Sequence, residues 1–322
     1  MEKMKIGVLG TSDIAFRRFL PALQKSSFFE YVGVASRSVS KTRKFVEAFG
    51  GNGYDGYDTM INDPTIGAVY IPLPPALHFE YAKKALEHGK HVLLEKPFTT
   101  TGAHSKILIQ LAKNFGLALH ENYMFLYHTQ IQHILDLLQN SAIGDVRLYR
   151  IAFGFPKLDV KNFRYQKALG GGALLDCGGY PVRLSAKLLG NSVRVASAQL
   201  CGWSQYGVDL YGSATLVNDK NEVAQIAFGM DNEYRCELDV WGSKGNLTAT
   251  RIFTAGIEVQ PEVLLKQAGN QQQIKLDVCN QFLNSIDEFE KCILDSDIRN
   301  NHYEDIATQA RLIDSVFSKG EK

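Results

Sequence analysis

The chain has 322 residues, 45% of them hydrophobic; that length exceeds what one hydrophobic core organises and predicts two domains of roughly 120 and 200 residues. Its 35 Lys and Arg against 34 Asp and Glu leave a formal charge of +1, which argues against nucleic acid or a membrane surface as partner and fits a neutral ligand or a cofactor-sized anion. No run approaches the ~20 apolar residues of a membrane helix. Met1 is not followed by the basic and long apolar regions of a signal peptide. The five cysteines, at 177, 201, 236, 279 and 292, lack CxxC or zinc-like spacing. These features predict reduced thiols, a cytoplasmic protein and no bound metal.

In chain order, continuous apolar strand patterns at 5–9, 31–35, 68–71, 91–94 and 117–121 alternate with amphipathic helix patterns at 15–25, 40–49, 78–88 and 102–114. Apolar strands between such helices predict a doubly wound parallel sheet covered on both faces. After residue 145 the texture changes to period-two runs at 146–155, 193–203, 210–216, 223–228 and 235–241, with turns such as the one between Gly242 and Gly245. These predict a second, mostly antiparallel open sheet. Two stripes close the chain, Phe282, Ile286, Phe289 and Ile293, then Ile306, Ala310, Ile313 and Phe317, both read as helices packed on a core. The expected division is 1–121 for the first domain and 122–322 for the second.

The turn after the first strand reads Gly10, Thr11, Ser12, Asp13, Ile14, Ala15, a dinucleotide fingerprint reduced to G-x-S-x-x-A. Small residues at 12 and 15 still let the backbone approach a pyrophosphate with a helix N-terminus facing the anion. After the second strand, where an NAD enzyme carries an acidic residue, the chain has Ser36, Arg37 and Ser38, with Lys41 and Arg43 beyond. A hydroxyl and a guanidinium would bind a 2′-phosphate that a carboxylate repels, which predicts NADP(H); otherwise Arg37 is a solvated helix-start charge. Pro72, Leu73, Pro74 and Pro75 rigidify the loop at the carboxyl edge after strand 68–71, which places Pro72 and Leu73 among the expected cofactor contacts, with His78 opening the next helix as a cofactor contact, a cap or a surface residue.

At the same edge stand Glu95, Lys96 and Pro97. Proline holds Lys96 extended, and an ammonium there can hydrogen-bond a carbonyl oxygen, lower the pKa of a nearby phenol and balance charge during hydride movement. The run from Gly170 through Asp176, Gly178 and Gly179 to Tyr180 and Pro181 reads as a glycine-rich turn leading into a helix at 182–189. Tyr180 could give a proton to a nascent alkoxide, and Asp176 could orient substrate hydroxyls or the lysine. Taken alone, Tyr180 also fits a core position. Cys177 beside it reads as a small packing residue. Arg164 and Tyr165, ahead of the glycine run, are candidate contacts for substrate phosphate or hydroxyls, and Arg183 either shares that role or makes a surface ion pair.

With these motifs in place, the chain resembles, over essentially its whole length, the superfamily of glucose-fructose oxidoreductase, inositol dehydrogenase and rhizopine-catabolism proteins. The E-K-P segment at 95–97 and the D-x-G-x-Y block at 176–180 carry the likeness. The resemblance implies a Rossmann domain followed by a substrate-binding and oligomerisation domain with an open sheet, Lys96 and Tyr180 as catalytic residues, and Tyr180 as proton donor where many members carry histidine. The segments 13–22, 121–126 and 170–176 are also similar to NADPH-dependent sugar 3-ketoreductases of deoxysugar biosynthesis. That similarity implies reduction of a C3-keto group of a dTDP-linked 6-deoxyhexose. It adds Tyr57, Glu95 and Asn122 to the expected cofactor contacts and Tyr123 to the substrate contacts. The expected partners are a sugar or nucleotide sugar and further copies of the chain, as a homodimer or homotetramer through the second sheet. Two other readings stay open: an NADP-dependent dehydrogenase of a free sugar or a trans-dihydrodiol, and a non-catalytic NADP-sensing regulator.

Overall fold

The computed structural model describes residues 3–202 and 206–320. The chain forms two compact units, Met1–Asn122 with Phe282–Ala310, and Tyr123–Gln281 with Arg311–Lys322.

In the first unit, β1 (Met4–Leu9), β2 (Phe29–Ser36), β3 (Asn52–Asp55), β4 (Ala68–Ile71), β5 (His91–Leu94) and β6 (Leu119–Glu121) form one parallel sheet in the order β3-β2-β1-β4-β5-β6. This is the doubly wound sheet predicted. Its helices are α1 (Leu20–Leu23), α2 (Arg43–Phe49), α3 (Tyr57–Ile61), α4 (Pro75–Glu87) and α5 (Gly102–Phe115). A π-helical turn, Ala15–Phe19, runs directly into α1. The helix expected from His78 begins instead at Pro75, since proline lacks an N–H that would go unused in the first turn anyway. That earlier start carries His78 inside the helix and into the core, rather than to a cap or surface position.

The second unit contains α6 (Thr129–Gln139), β7 (Val146–Gly154), α7 (Gly179–Leu189), β8 (Arg194–Cys201), β9 (Tyr211–Val217), β10 (Val223–Gly229), β11 (Arg235–Gly242), β12 (Gly245–Thr250), β13 (Glu262–Gln267) and β14 (Asn270–Lys275). Its 8-stranded sheet runs β14-β13-β12-β11-β7-β10-β9-β8 and is antiparallel except for the β7–β10 pair. The mostly antiparallel open sheet is thus as expected, with three strands after Gly242 added. Trp203, the expected end of one strand, lies outside the described residues. The expected glycine turn before residue 182 is helical instead: a π-helical turn at Leu174–Gly178 continues into α7. Gly178 has an ordinary helical φ of −66°, and a Cβ there would stand 2.9 Å from the Phe228 ring, so this glycine serves close approach of helix to sheet.

The last helices, α8 (Gln281–Leu294) and α9 (Ser296–Gly320), divide between the units, in place of the single boundary at 121/122 expected from the sequence. Residues 282–310 complete the first unit: Phe289 stacks on Phe29 at 5.6 Å, Ser285 Oγ donates to Asn122 Oδ1 at 2.8 Å, and Tyr303 Oη donates to Leu117 O at 2.5 Å. Among the described residues no helix is long and apolar enough to cross a membrane, and none of the five cysteines is in a disulfide.

Candidate active site

In the first unit the sheet order reverses between β1 and β4, where ligands of doubly wound sheets bind beyond the carboxyl ends. Gly10 follows β1 with φ +120°, and a Cβ there would come within 2.8 Å of Leu73 Cδ2 just past β4. The turn can take this conformation against the Leu73 side chain only because residue 10 has no side chain. Ser12 Oγ accepts from Ala15 N at 3.2 Å and so caps the following turn. Asp13 pairs with Arg17 at the surface; Thr11 and Ile14 are half-buried.

At the end of β2, Ser36 is buried and Arg37 is exposed. Burial raises the Tyr57 phenol, and the positive charge of the nearby Arg37 guanidinium acts in the opposite direction. The structure thus brings Arg37 and Tyr57, two of the expected cofactor contacts, near one another, with no carboxylate directly after β2. Lys41 lies exposed in the short helical turn Val39–Thr42.

Pro72 and Leu73 are buried. His78 is fully buried, and its ring nitrogens face two backbone oxygens, Nδ1 to Pro97 O and Nε2 to Leu73 O, each at 2.8 Å. Its polar atoms are spent on the protein. Lys96, half-buried, follows β5 and precedes Pro97 across a cis peptide bond. The neighbouring Glu95 Oε1 accepts from Tyr70 Oη and from Asn122 Nδ2, both at 2.6 Å, while Oε2 accepts from Lys96 N at 3.3 Å. Burial raises the Glu95 pKa, and the two hydrogen bonds together with the Lys96 charge oppose the rise. Asn122 is held in turn by Ser285 Oγ, which also contacts His120 Nε2 at 3.1 Å. Tyr70 and Ser285 were not read from the sequence. Tyr70 is one more apolar-looking residue of a buried strand, and Ser285 arrives from far along the chain.

In the second unit, Asp176 and Tyr180 lie on the helical stretch that runs into α7. Asp209 Oδ2 accepts from Leu174 N at 2.6 Å, an N-cap supplied from a distant segment and unmarked in the sequence. Tyr180 is only 6% exposed. Its ring packs edge-on against Tyr123 at 5.2 Å and Phe153 at 5.1 Å, and tilted against Phe125 at 5.7 Å and Phe253 at 5.5 Å. Arg164 Nε donates to Asp176 Oδ2 at 2.7 Å. Burial works against the guanidinium charge, but the Asp176 carboxylate outweighs it and the Arg164 pKa is raised. Tyr165 is buried, with its hydroxyl accepting from Leu158 N at 3.0 Å and donating to Met230 O at 3.1 Å. Arg183 is buried on α7 rather than at the surface.

His120, Cys292 and His302 place potential ligand atoms within 4.8 Å of one another inside the first unit. His120 Nε2 is engaged by Ser285 and His302 Nε2 by Glu288 Oε1 at 3.3 Å. Burial pushes the Cys292 thiol up to about 12, which opposes the thiolate a metal needs. We read this group as core packing.

Two family models match the chain, an oxidoreductase family with an NAD-binding Rossmann fold over residues 4–123 and the GFO/IDH/MocA C-terminal domain over residues 131–248. The chain is 37% identical to a dTDP-3,4-didehydro-2,6-dideoxy-alpha-D-glucose 3-reductase from Actinomadura kijaniata, over 97% of this chain and 94% of that protein. It is 42% identical to an enzyme of the same name from Streptomyces violaceoruber, over 84% and 80%. Among solved structures it is similar to KijD10, a 3-ketoreductase from Actinomadura kijaniata in complex with NADP and TDP-benzene, with TM-score 0.96 and 36% identity over 99% of this chain and 98% of that one.

Proposed function

Because the chain belongs to the GFO/IDH/MocA oxidoreductase family, we propose that it is an NADPH-dependent ketoreductase of a nucleotide-linked sugar, reducing the C3-keto group of a dTDP-linked 6-deoxyhexose. One observation carries the reading: near-complete likeness to 3-reductases coincides with the presence of Lys96 and Tyr180, the two residues to which proton handling is assigned here. Solved structures of KijD10 include variants at one lysine and at one tyrosine, separated along that chain by the same number of residues as Lys96 and Tyr180 here.

The first unit fits the cofactor. Gly10 lets the turn after β1 lie close against Leu73, and Arg37 with Tyr57 offers cationic and hydroxyl donors where a 2′-phosphate would lie. Bound NADPH supplies a hydride. Lys96 hydrogen-bonds and polarises the substrate carbonyl, and Tyr180 Oη gives its proton to the oxygen as charge develops there. Asp176, fixed by Arg164, orients substrate hydroxyls. Incubation with dTDP-linked and UDP-linked keto sugars, followed as NADPH consumption, tests the reading. Turnover is expected with the dTDP-linked 3-keto sugar, falling about 10²- to 10⁴-fold in Tyr180→Phe at unchanged NADPH affinity. A Tyr180→Phe protein of wild-type activity would refute the assignment of the donor.

The open face of the second sheet, with Trp241 58% and Tyr211 49% exposed, is assigned to contact with further copies of the chain, as a dimer or tetramer. Sedimentation showing only monomer at micromolar concentration would contradict this. With no cysteine cross-linked, the cytoplasm is the assigned compartment.

A further inference from the structure

We infer that His78 is a positioning residue for Lys96, tying the turn that carries the lysine to the loop that borders the phosphate turn. The inference rests on the role given to Lys96 above. Three observations support it. The start of α4 at Pro75 puts His78 on the inward face of the helix, with no side-chain surface left to solvent. Its two ring nitrogens reach, at 2.8 Å each, the Pro97 oxygen just after Lys96 and the Leu73 oxygen just after β4. The Leu73 side chain in turn stands where a Cβ on Gly10 would meet it at 2.8 Å. One buried ring therefore connects the end of β5 with the end of β4, and through Leu73 reaches the end of β1.

The chemistry makes the connection sensitive to what occupies position 78. Backbone oxygens only accept, so each is satisfied by an N–H of the ring, and a neutral imidazole holds one while an imidazolium holds both. Burial lowers the His78 pKa and the Lys96 charge acts the same way, while the carbonyls of Pro97 and Leu73 oppose them. A phenyl ring of similar size keeps the volume and donates to neither oxygen. The hydrogen-bonded link between the two loops is then lost, and with it the fixed distance from Lys96 to its target. Misplacement of a reacting group by about 1 Å can cost on the order of 10²-fold in rate.

The test is a double-mutant cycle on the full chain: His78→Phe, Lys96→Met and the double variant. It reads turnover on the keto sugar that gives activity with wild type, NADPH affinity by fluorescence titration, and melting temperature. His78→Phe is expected to lower kcat roughly 10- to 100-fold, with KM and NADPH affinity changed less than about threefold, and to cost nothing further once Lys96 is methionine. His78→Gln, whose amide NH2 can still donate to a backbone oxygen, should recover part of the loss, and it replaces His78→Phe in the cycle if the phenylalanine variant does not fold. An equal penalty from the position-78 substitution in both backgrounds overturns the inference alone, as does a loss of kcat matched by an equal loss of NADPH-binding chains. Wild-type turnover in Lys96→Met overturns the role of Lys96, and this inference with it.

Discussion

Arg37→Ala separates the two nicotinamide cofactors. Arg37 is exposed just after β2, its charge acts on the Tyr57 phenol, and no carboxylate follows directly after β2. A charge-assisted hydrogen bond contributes about 1.5 to 3 kcal/mol. Exposure and screening place this one toward the lower end, which corresponds to roughly tenfold in the dissociation constant. NADH has no 2′-phosphate, so its affinity should change little. Titrations of both cofactors, followed by protein fluorescence at about 0.05 M and 1 M salt, give the comparison. The wild-type preference for NADPH should shrink at high salt, and the variant should show little salt dependence. If Arg37→Ala weakens both cofactors by the same factor, the guanidinium supports the loop and the 2′-phosphate is bound elsewhere.

Gly10→Ala should reduce NADPH affinity more than tenfold and lower stability by about 1 to 3 kcal/mol, because it combines a φ of +120° with a contact of 2.8 Å to Leu73; denaturant unfolding alongside cofactor titration measures both, and unchanged affinity would refute the role of the glycine turn. His91 is held at about 4, chiefly by burial and secondarily by the Arg299 charge, with Nδ1 accepting from Ala118 N at 2.9 Å. Its folded pKa lies below the unfolded value, so the unfolded chain binds the extra proton first. Stability should fall by up to about 3 kcal/mol as pH drops from roughly 6.5 to 4. His91→Asn should flatten that part of the profile, and an unchanged slope in urea unfolding would show that another group is responsible.

The parallel sheet was legible because its strands are short apolar runs between amphipathic helices, a signal that burial on both faces enforces. The strands that escaped lack it. β3 reads Asn-Gly-Tyr-Asp at a sheet edge, and β14 is almost wholly polar, paired to β13 through a turn in which Ala268 and Gly269 have positive φ. The candidate site divides in the same way. Residues bound to a local motif, such as Gly10, Lys96 and Asp176, can be found from spacing. Tyr70, Ser285 and Asp209 act only through contacts made after folding, and nothing beside them in the chain marks a partner. The split of the C-terminal helices between units is similarly invisible, since an apolar stripe states that a face is buried but not against what.

The two units hold Tyr180 and Lys96, the side chains proposed to react, by different means, and this decides which substitution is the cleaner probe. Tyr180 is fixed by aromatic neighbours, Tyr123, Phe125, Phe153 and Phe253. Phenylalanine preserves those edge and tilted contacts, so a fall in turnover reports the phenolic proton. Lys96 instead sits beside Glu95, whose raised pKa is moderated by the Lys96 charge as well as by Tyr70 and Asn122. Replacing the lysine with methionine removes that moderation and favours protonation of Glu95, which alters the hydrogen bonds holding Asn122. Loss of activity in Lys96→Met therefore mixes lost polarisation with a disturbed support. The two are separable by pH: ionised Glu95 restores the support as pH rises, whereas lost polarisation does not recover. A Lys96→Met deficit that stays constant across pH assigns the effect to the ammonium itself.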